Sequence, residues 1–167
     1  SLGLLSDLAS ECFMPLGYGG GLRSVGDAKK VLEIGFEKVI VGTGALERRE
    51  LICDLSEQLG SQAVVVSMDV KRHWGRYVVF GRSGTLKSQY DPVEWAVTAE
   101  SLGAGEILLT SIDREGSWSG LDLSLVTRVV NAVSIPVIAH GGVGRLEDIY
   151  EAFGTTNVAA VAIGSFV

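Results

Sequence analysis

The sequence has little of what builds disulfide frameworks or nucleic-acid surfaces: two cysteines, two histidines and three prolines in 167 residues, with aromatics at 7%. Cys12 and Cys53 lie far apart and form no C-x-x-C pair, which excludes a disulfide-stapled scaffold and leaves two reduced packing thiols, as expected in the cytoplasm. Cations are outnumbered, 14 against 20 acidic residues, for a net charge of -6 and a pI near 4.9. No basic stripe exists to release counterions, so neither nucleic acid nor an anionic membrane surface is expected as a partner, although local basic residues can still hold a small phosphate. No secretory signal pattern is visible. The longest apolar runs, such as Val158 to Ile163, fall far short of the roughly 20 residues that span a bilayer.

What is present is apolar and glycine-rich: 47% hydrophobic residues, mean hydropathy +0.32, and 22 glycines. This is enough for one sizeable core, so residues 1–167 read as a single domain. The apolar excess suits parallel strands covered on both faces. Gln62 to Lys71 is the sharpest instance, a valine-rich run that ends on the acidic Asp69. A carboxylate at the C-terminal end of such a strand sits where α/β barrels place their chemistry, which makes Asp69 the first candidate for catalysis.

Strand and helix patterns alternate along the chain. A helix over Leu2 to Cys12 leads into a short strand at Met14 to Tyr18 and the turn Gly19-Gly20-Gly21. Helices are expected over Val25–Ile34, Arg48–Leu59, Pro92–Leu102, Leu123–Val133 and Leu146–Phe153. Strands are expected over Lys38–Val41, Ala63–Asp69, Glu106–Thr110, Pro136–Ala139 and Ala159–Ile163. A polar connection rich in Lys, Arg and His follows Asp69, with His73 as a solvated loop residue. A small hairpin around Tyr77–Phe80 then turns at Gly81 to Gly84.

Strict βα alternation implies a parallel sheet, closed or open. An internal repeat favours the closed form. At an offset of about 121 residues Pro15 falls on Pro136, Gly20-Gly21 on Gly141-Gly142 and Asp27 on Asp148; with one residue of slippage, Gly42-Thr43 falls on Gly164-Ser165. The expected fold is therefore a TIM-type (βα)8 barrel of two related halves, with about six of its eight βα units in this chain. The first βα unit and second strand would precede Ser1 and the last helix would follow Val167, so the chain reads as a fragment.

Glycines after a parallel strand let backbone amides approach an anion, helped by the following helix, and a Gly-Thr or Gly-Ser after the next strand adds a hydroxyl. One glycine turn carries little weight, but the same pair of features in both halves points to two phosphate sites across one barrel mouth. A substrate with a phosphate at each end would hold its reactive middle beside Asp69, placed for proton transfer. No cofactor is expected. Asp113, Glu115 and Asp122 are too dispersed for a metal site, and Asp122 reads better as a helix cap. Trp95 reads as helix packing, and Trp74 and Trp118 as loop residues. His140 is open between an acid-base or ligand role and a packed or phosphate-facing one.

Gly19-Gly20-Gly21, Gly60-Ser61-Gln62 with Val64 to Arg72, Gly103 to Arg114 and Ile135 to Ala139 together resemble the cyclase subunit family of imidazole glycerol phosphate synthase, the ring-forming barrel of histidine biosynthesis. The resemblance covers essentially the whole chain. It implies a lyase-type ring closure in which ammonia from a glutaminase partner, in a hetero-dimer, attacks a bis-phosphorylated aminoimidazole carboxamide ribonucleotide intermediate. Asp69 then matches one of two acid-base aspartates. Gly20, Gly21, Gly42 and Thr43 match one phosphate site, and Glu115, Gly116, Gly141, Gly142, Gly164 and Ser165 the other. Lys38 and Glu106 match an ammonia gate at the far end of the barrel. Gly42 stands where that family usually has Asn, His140 where it has Ser, and Glu115 where it has Asp. Tyr18 and the ending Gly164-Ser165-Phe166 are more similar to a paralogous branch associated with ammonia-dependent amidation of surface-polysaccharide sugars. A non-catalytic or engineered barrel fragment is the third alternative.

Overall fold

The computed structural model describes residues 2–164. Among these residues eight strands are formed, β1 (Gly17–Gly19), β2 (Lys38–Val41), β3 (Val64–His73), β4 (Arg76–Gly81), β5 (Leu86–Lys87), β6 (Glu106–Ser111), β7 (Val137–His140) and β8 (Ala160–Ala162), with seven α-helices, α1 (Leu2–Glu11), α2 (Val25–Glu33), α3 (Thr43–Glu47), α4 (Glu50–Leu59), α5 (Pro92–Ser101), α6 (Leu123–Val130) and α7 (Leu146–Thr155). Six strands pair in parallel in the order β1-β2-β3-β6-β7-β8, the sequential order of a (βα) barrel wall. The described residues thus form a partial TIM-type barrel.

The pleat separates packing from chemistry. Val39, Val41, Val66, Met68, Ile107, Leu109, Val137 and Ala139 are all but fully buried on the helix-covered face. Residues between them point to the opposite, half-exposed face. Parallel register places Asp69 beside Thr110, Thr110 beside His140 and His140 beside Ala162 at the strands' C-terminal ends. The expectation that the valine run is buried on both faces holds for Val64 to Val66; from Ser67 onward burial alternates, because the inner face turns polar.

Two local expectations are corrected. The polar stretch after Asp69 is strand: β3 continues through His73 and pairs antiparallel with β4, Asp69 opposite Phe80 and His73 opposite Arg76. His73 is accordingly half-buried, its ring edge-on to Phe80, and not a solvated loop residue. Charged side chains hid the strand because this pairing is extra to the barrel wall. The second correction is α3, a short helix over Thr43–Glu47 ahead of the helix expected from Arg48, which itself starts at Glu50. Gly44 is required there by proximity, since a Cβ would lie 2.6 Å from the Leu22 carbonyl oxygen.

Trp95 packs fully buried against Tyr90, with ring centroids 4.7 Å apart. Trp74 and Trp118 are exposed turn residues at positive φ. Asp122 caps α6 by accepting from the Leu125 amide, as its position ahead of an apolar helix suggests.

Candidate active site at the C-terminal ends of the strands

The repeat is expressed in backbone geometry. Gly20 and Gly21 have φ of 119° and 74°, and their counterparts Gly141 and Gly142 have 98° and 103°. These left-handed values turn each chain sharply out of its strand, into β1–α2 and β7–α7 respectively. Asp27 and Asp148, the other matched pair, sit in the first turns of those helices: the Ser24 hydroxyl accepts from the Asp27 amide and donates to its carboxylate, and Asp148 accepts from the amides of Gly144 and Arg145. Those bonds, that of Gly144 foremost, hold the buried Asp148 carboxyl below the usual carboxylate range.

The first glycine site opens onto a cavity of about 360 Å³ lined by Gly20, Gly21, Gly42, Thr43, Ser67 and Asp69. Asp69 and the four residues expected to hold one phosphate thus share one space. Burial pushes the Asp69 carboxyl up from the ordinary range, and the charge of His140 offsets part of that rise. A carboxyl so placed keeps its proton to higher pH, which suits proton transfer.

The second glycine site brings together Glu115, Gly116, Gly141, Gly142 and Gly164, but only about 10 Å³ is left between them. Ser165 lies outside the described residues. The Glu115 carboxylate, its side chain 45% exposed, lies against these glycines: Oε2 is 3.4 Å from the place of a Cβ on Gly141 and Oε1 is 3.7 Å from that on Gly164. Glu115 Oε2 also lies 3.4 Å from His140 Nε2. The remaining carboxylates of this loop are engaged elsewhere: Asp113 accepts from the Arg72 amide, and Asp122 from the Tyr77 hydroxyl as well as its own helix.

Lys38 and Glu106 open β2 and β6, at the opposite end of the sheet from Asp69. They meet across β3, with Nζ 2.7 Å from Oε1 and a second bond from Nζ to the Gln62 carbonyl oxygen. A larger groove of about 900 Å³ lies between the β3–β4 hairpin and α5, among Arg72, Tyr77 and Tyr90; His73 and Trp74 line it, and none of the candidate catalytic, phosphate or gate residues does.

Arg82, Ser83 and Arg23 also line the first cavity, and sequence reasoning missed them. Arg82 follows a Gly81 that signals only a turn. Its arrival above the first glycine site depends on the long antiparallel return of β4 along β3.

The profile of the Histidine biosynthesis protein family matches residues 1–167. The chain belongs to this family. Its relatives include the imidazole glycerol phosphate synthase subunit HisF of Saccharolobus solfataricus, 46% identical over 98% of this chain and 65% of the relative. HisF of Sulfurisphaera tokodaii is 46% identical over 99% of this chain and 66% of its own length. A putative subunit hisF2 of Pseudomonas aeruginosa is 44% identical over 97% of this chain and 65% of its own length. This family member therefore spans about two thirds of the length of the curated relatives it matches. No helix among its described residues is long and apolar enough to cross a membrane.

Proposed function

We propose that the whole protein to which this chain corresponds is the cyclase subunit of imidazole glycerol phosphate synthase, a cytoplasmic lyase working in a hetero-dimer with a glutaminase. Ammonia attacks the bis-phosphorylated aminoimidazole carboxamide ribonucleotide intermediate, and the products are imidazole glycerol phosphate and the purine precursor. The observation that carries this reading is the shared cavity: Asp69, a carboxyl with raised proton affinity, opens onto the same space as Gly20, Gly21, Gly42 and Thr43.

In this reading the backbone amides around Gly21 and Gly42 and the Thr43 hydroxyl hold one phosphate. Gly116, Gly141, Gly142 and Gly164, with Ser165, hold the other once the Glu115 carboxylate has moved aside, because two anions cannot share that pocket. Asp69 shuttles the proton that ring closure requires at the substrate's middle. Lys38 and Glu106, paired at the opposite end, admit ammonia from the glutaminase side.

A second reading, ammonia-dependent amidation of a surface-polysaccharide sugar, is favoured by the carboxylate and imidazole that line the second site. His140 and Glu115 offer hydrogen bonds to hydroxyls more readily than a berth for phosphate. The full-length protein assayed with the aminoimidazole substrate and ammonium separates the two. Turnover that falls at least a hundredfold in Asp69→Asn supports the cyclase. Turnover that stays within about tenfold removes Asp69 from the chemistry. No turnover, with growth of a histidine auxotroph unrescued, favours the sugar reading.

A further inference from the structure

We propose that Arg82 is an anion-binding residue of the first glycine site, exchanging its ion pair with Glu47 for a substrate phosphate. The inference rests on reading that site as a phosphate site and adds to it a residue outside both halves of the repeat.

The turn between β4 and β5 is built against its own backbone preference. Arg82 and Ser83 are consecutive non-glycine residues at φ of 49° and 54°, although glycines stand on both sides of them at Gly81 and Gly84. Side chains in the left-handed region persist where surrounding contacts hold them, and such positions cluster at ligand sites. The turn's own bonds, from the Gly84 amide to the Gly81 carbonyl and from Thr85 to the Arg82 carbonyl, are joined by one contact from the candidate site: the Arg82 amide donates to Thr43 Oγ1 at 2.8 Å. With its oxygen engaged as an acceptor, the Thr43 hydroxyl keeps its proton for another acceptor. The turn is thereby fixed over the cavity that Gly20, Gly21, Gly42 and Asp69 line.

Charge supports the same assignment. Arg82 and Arg23 are the two cationic side chains that line this cavity, in a protein of net charge -6. Both lean on one carboxylate: Glu47 Oε1 lies 2.6 Å from an Arg82 guanidinium nitrogen, and Oε2 lies 3.9 Å from Arg23. Two guanidiniums on one carboxylate leave one positive charge in excess among those three groups, with the Asp69 carboxyl also on the cavity lining. The Arg82 side chain is 60% exposed, so this ion pair is solvated and readily exchanged. A phosphate offers the planar guanidinium a bidentate partner with more charge than a carboxylate, and it would sit beside the glycines that line the cavity.

The test is binding of inorganic phosphate to the full-length protein, followed by the amide NMR shifts of Gly20, Gly21 and Thr43. Arg82→Gln is expected to weaken phosphate about tenfold and Arg82→Lys by less, since Lys keeps the charge but not the fork. Glu47→Gln leaves Arg82 and its turn in place and is expected to tighten phosphate roughly threefold by releasing the guanidinium. That opposite sign is not produced by a merely structural role, and it keeps the test decisive if Arg82→Gln disturbs the turn. If wild type shifts those amides and both Arg82→Gln and Glu47→Gln bind as wild type does, the role of Arg82 is overturned while the phosphate site stands. If wild type gives no shift at those amides with tens of millimolar phosphate, the site reading fails and takes the role of Arg82 with it.

Discussion

Thr110 Oγ1 lies 3.2 Å from His140 Nδ1, and the other nitrogen of that ring faces the Glu115 carboxylate. Thr110 is also the in-register neighbour of Asp69. A row of polar side chains therefore crosses the inner face from the first glycine site to the second, ending on a carboxylate that lines the second.

Removing that resident anion should open the second site. Glu115→Ala is expected to strengthen inorganic phosphate at the Gly141 and Gly142 amides on the order of tenfold, the worth of about 1.4 kcal/mol. Amide shifts across a phosphate titration read this directly. An unchanged affinity would mean that Glu115 leaves the pocket freely.

Asp69 should trade stability for chemistry. Its folded carboxyl binds a proton more tightly than an unfolded one, mainly because burial disfavours the charge. Whatever stability that proton contributes is complete below the unfolded carboxyl's range, near pH 4, and is lost as pH rises through the folded value. Asp69→Asn should therefore melt higher than wild type at pH 7, with the gain vanishing toward pH 4, while turnover falls at least a hundredfold. Thermal unfolding across pH checks the first part; a variant that melts lower at pH 7 contradicts the burial argument.

Asp148 should behave in the opposite sense. Amides of Gly144 and Arg145 favour its charged form, so its contribution is present above the unfolded carboxyl's range and is lost as pH falls through the depressed folded value. Asp148→Asn is expected to cost about 1–2 kcal/mol at pH 7, with a smaller gap to wild type in acid. Guanidinium denaturation at pH 7 and pH 3.5 measures both.

Lys38→Met should separate delivery of ammonia from its use. The Lys38–Glu106 pair is partly exposed, so its loss should cost only about 0–1 kcal/mol of stability. If it gates ammonia, glutamine-dependent turnover in the complex should change about tenfold, while turnover with external ammonium stays within about twofold. Equal effects on both would place the pair in the barrel's structure alone.

Sequence by itself determined the alternation of elements, the direction of the strands and the two glycine turns, because hydrophobic period and backbone freedom are local properties. The 121-residue repeat even matched Asp27 with Asp148 before either had a role, and the matched positions proved to be helix-capping ones. Lys71, Arg72 and His73 read as a polar connection because they carry no apolar alternation, although they pair with Val78, Tyr77 and Arg76 across the tight turn at Trp74-Gly75. Only the tertiary structure decided that Asp69 shares a cavity with the first glycine site, that Glu115 lies against the glycines of the second, and that Arg82 arrives above Thr43. Those relationships depend on the parallel register between strands and on where a hairpin returns, and neither is written in the spacing of residues along the chain.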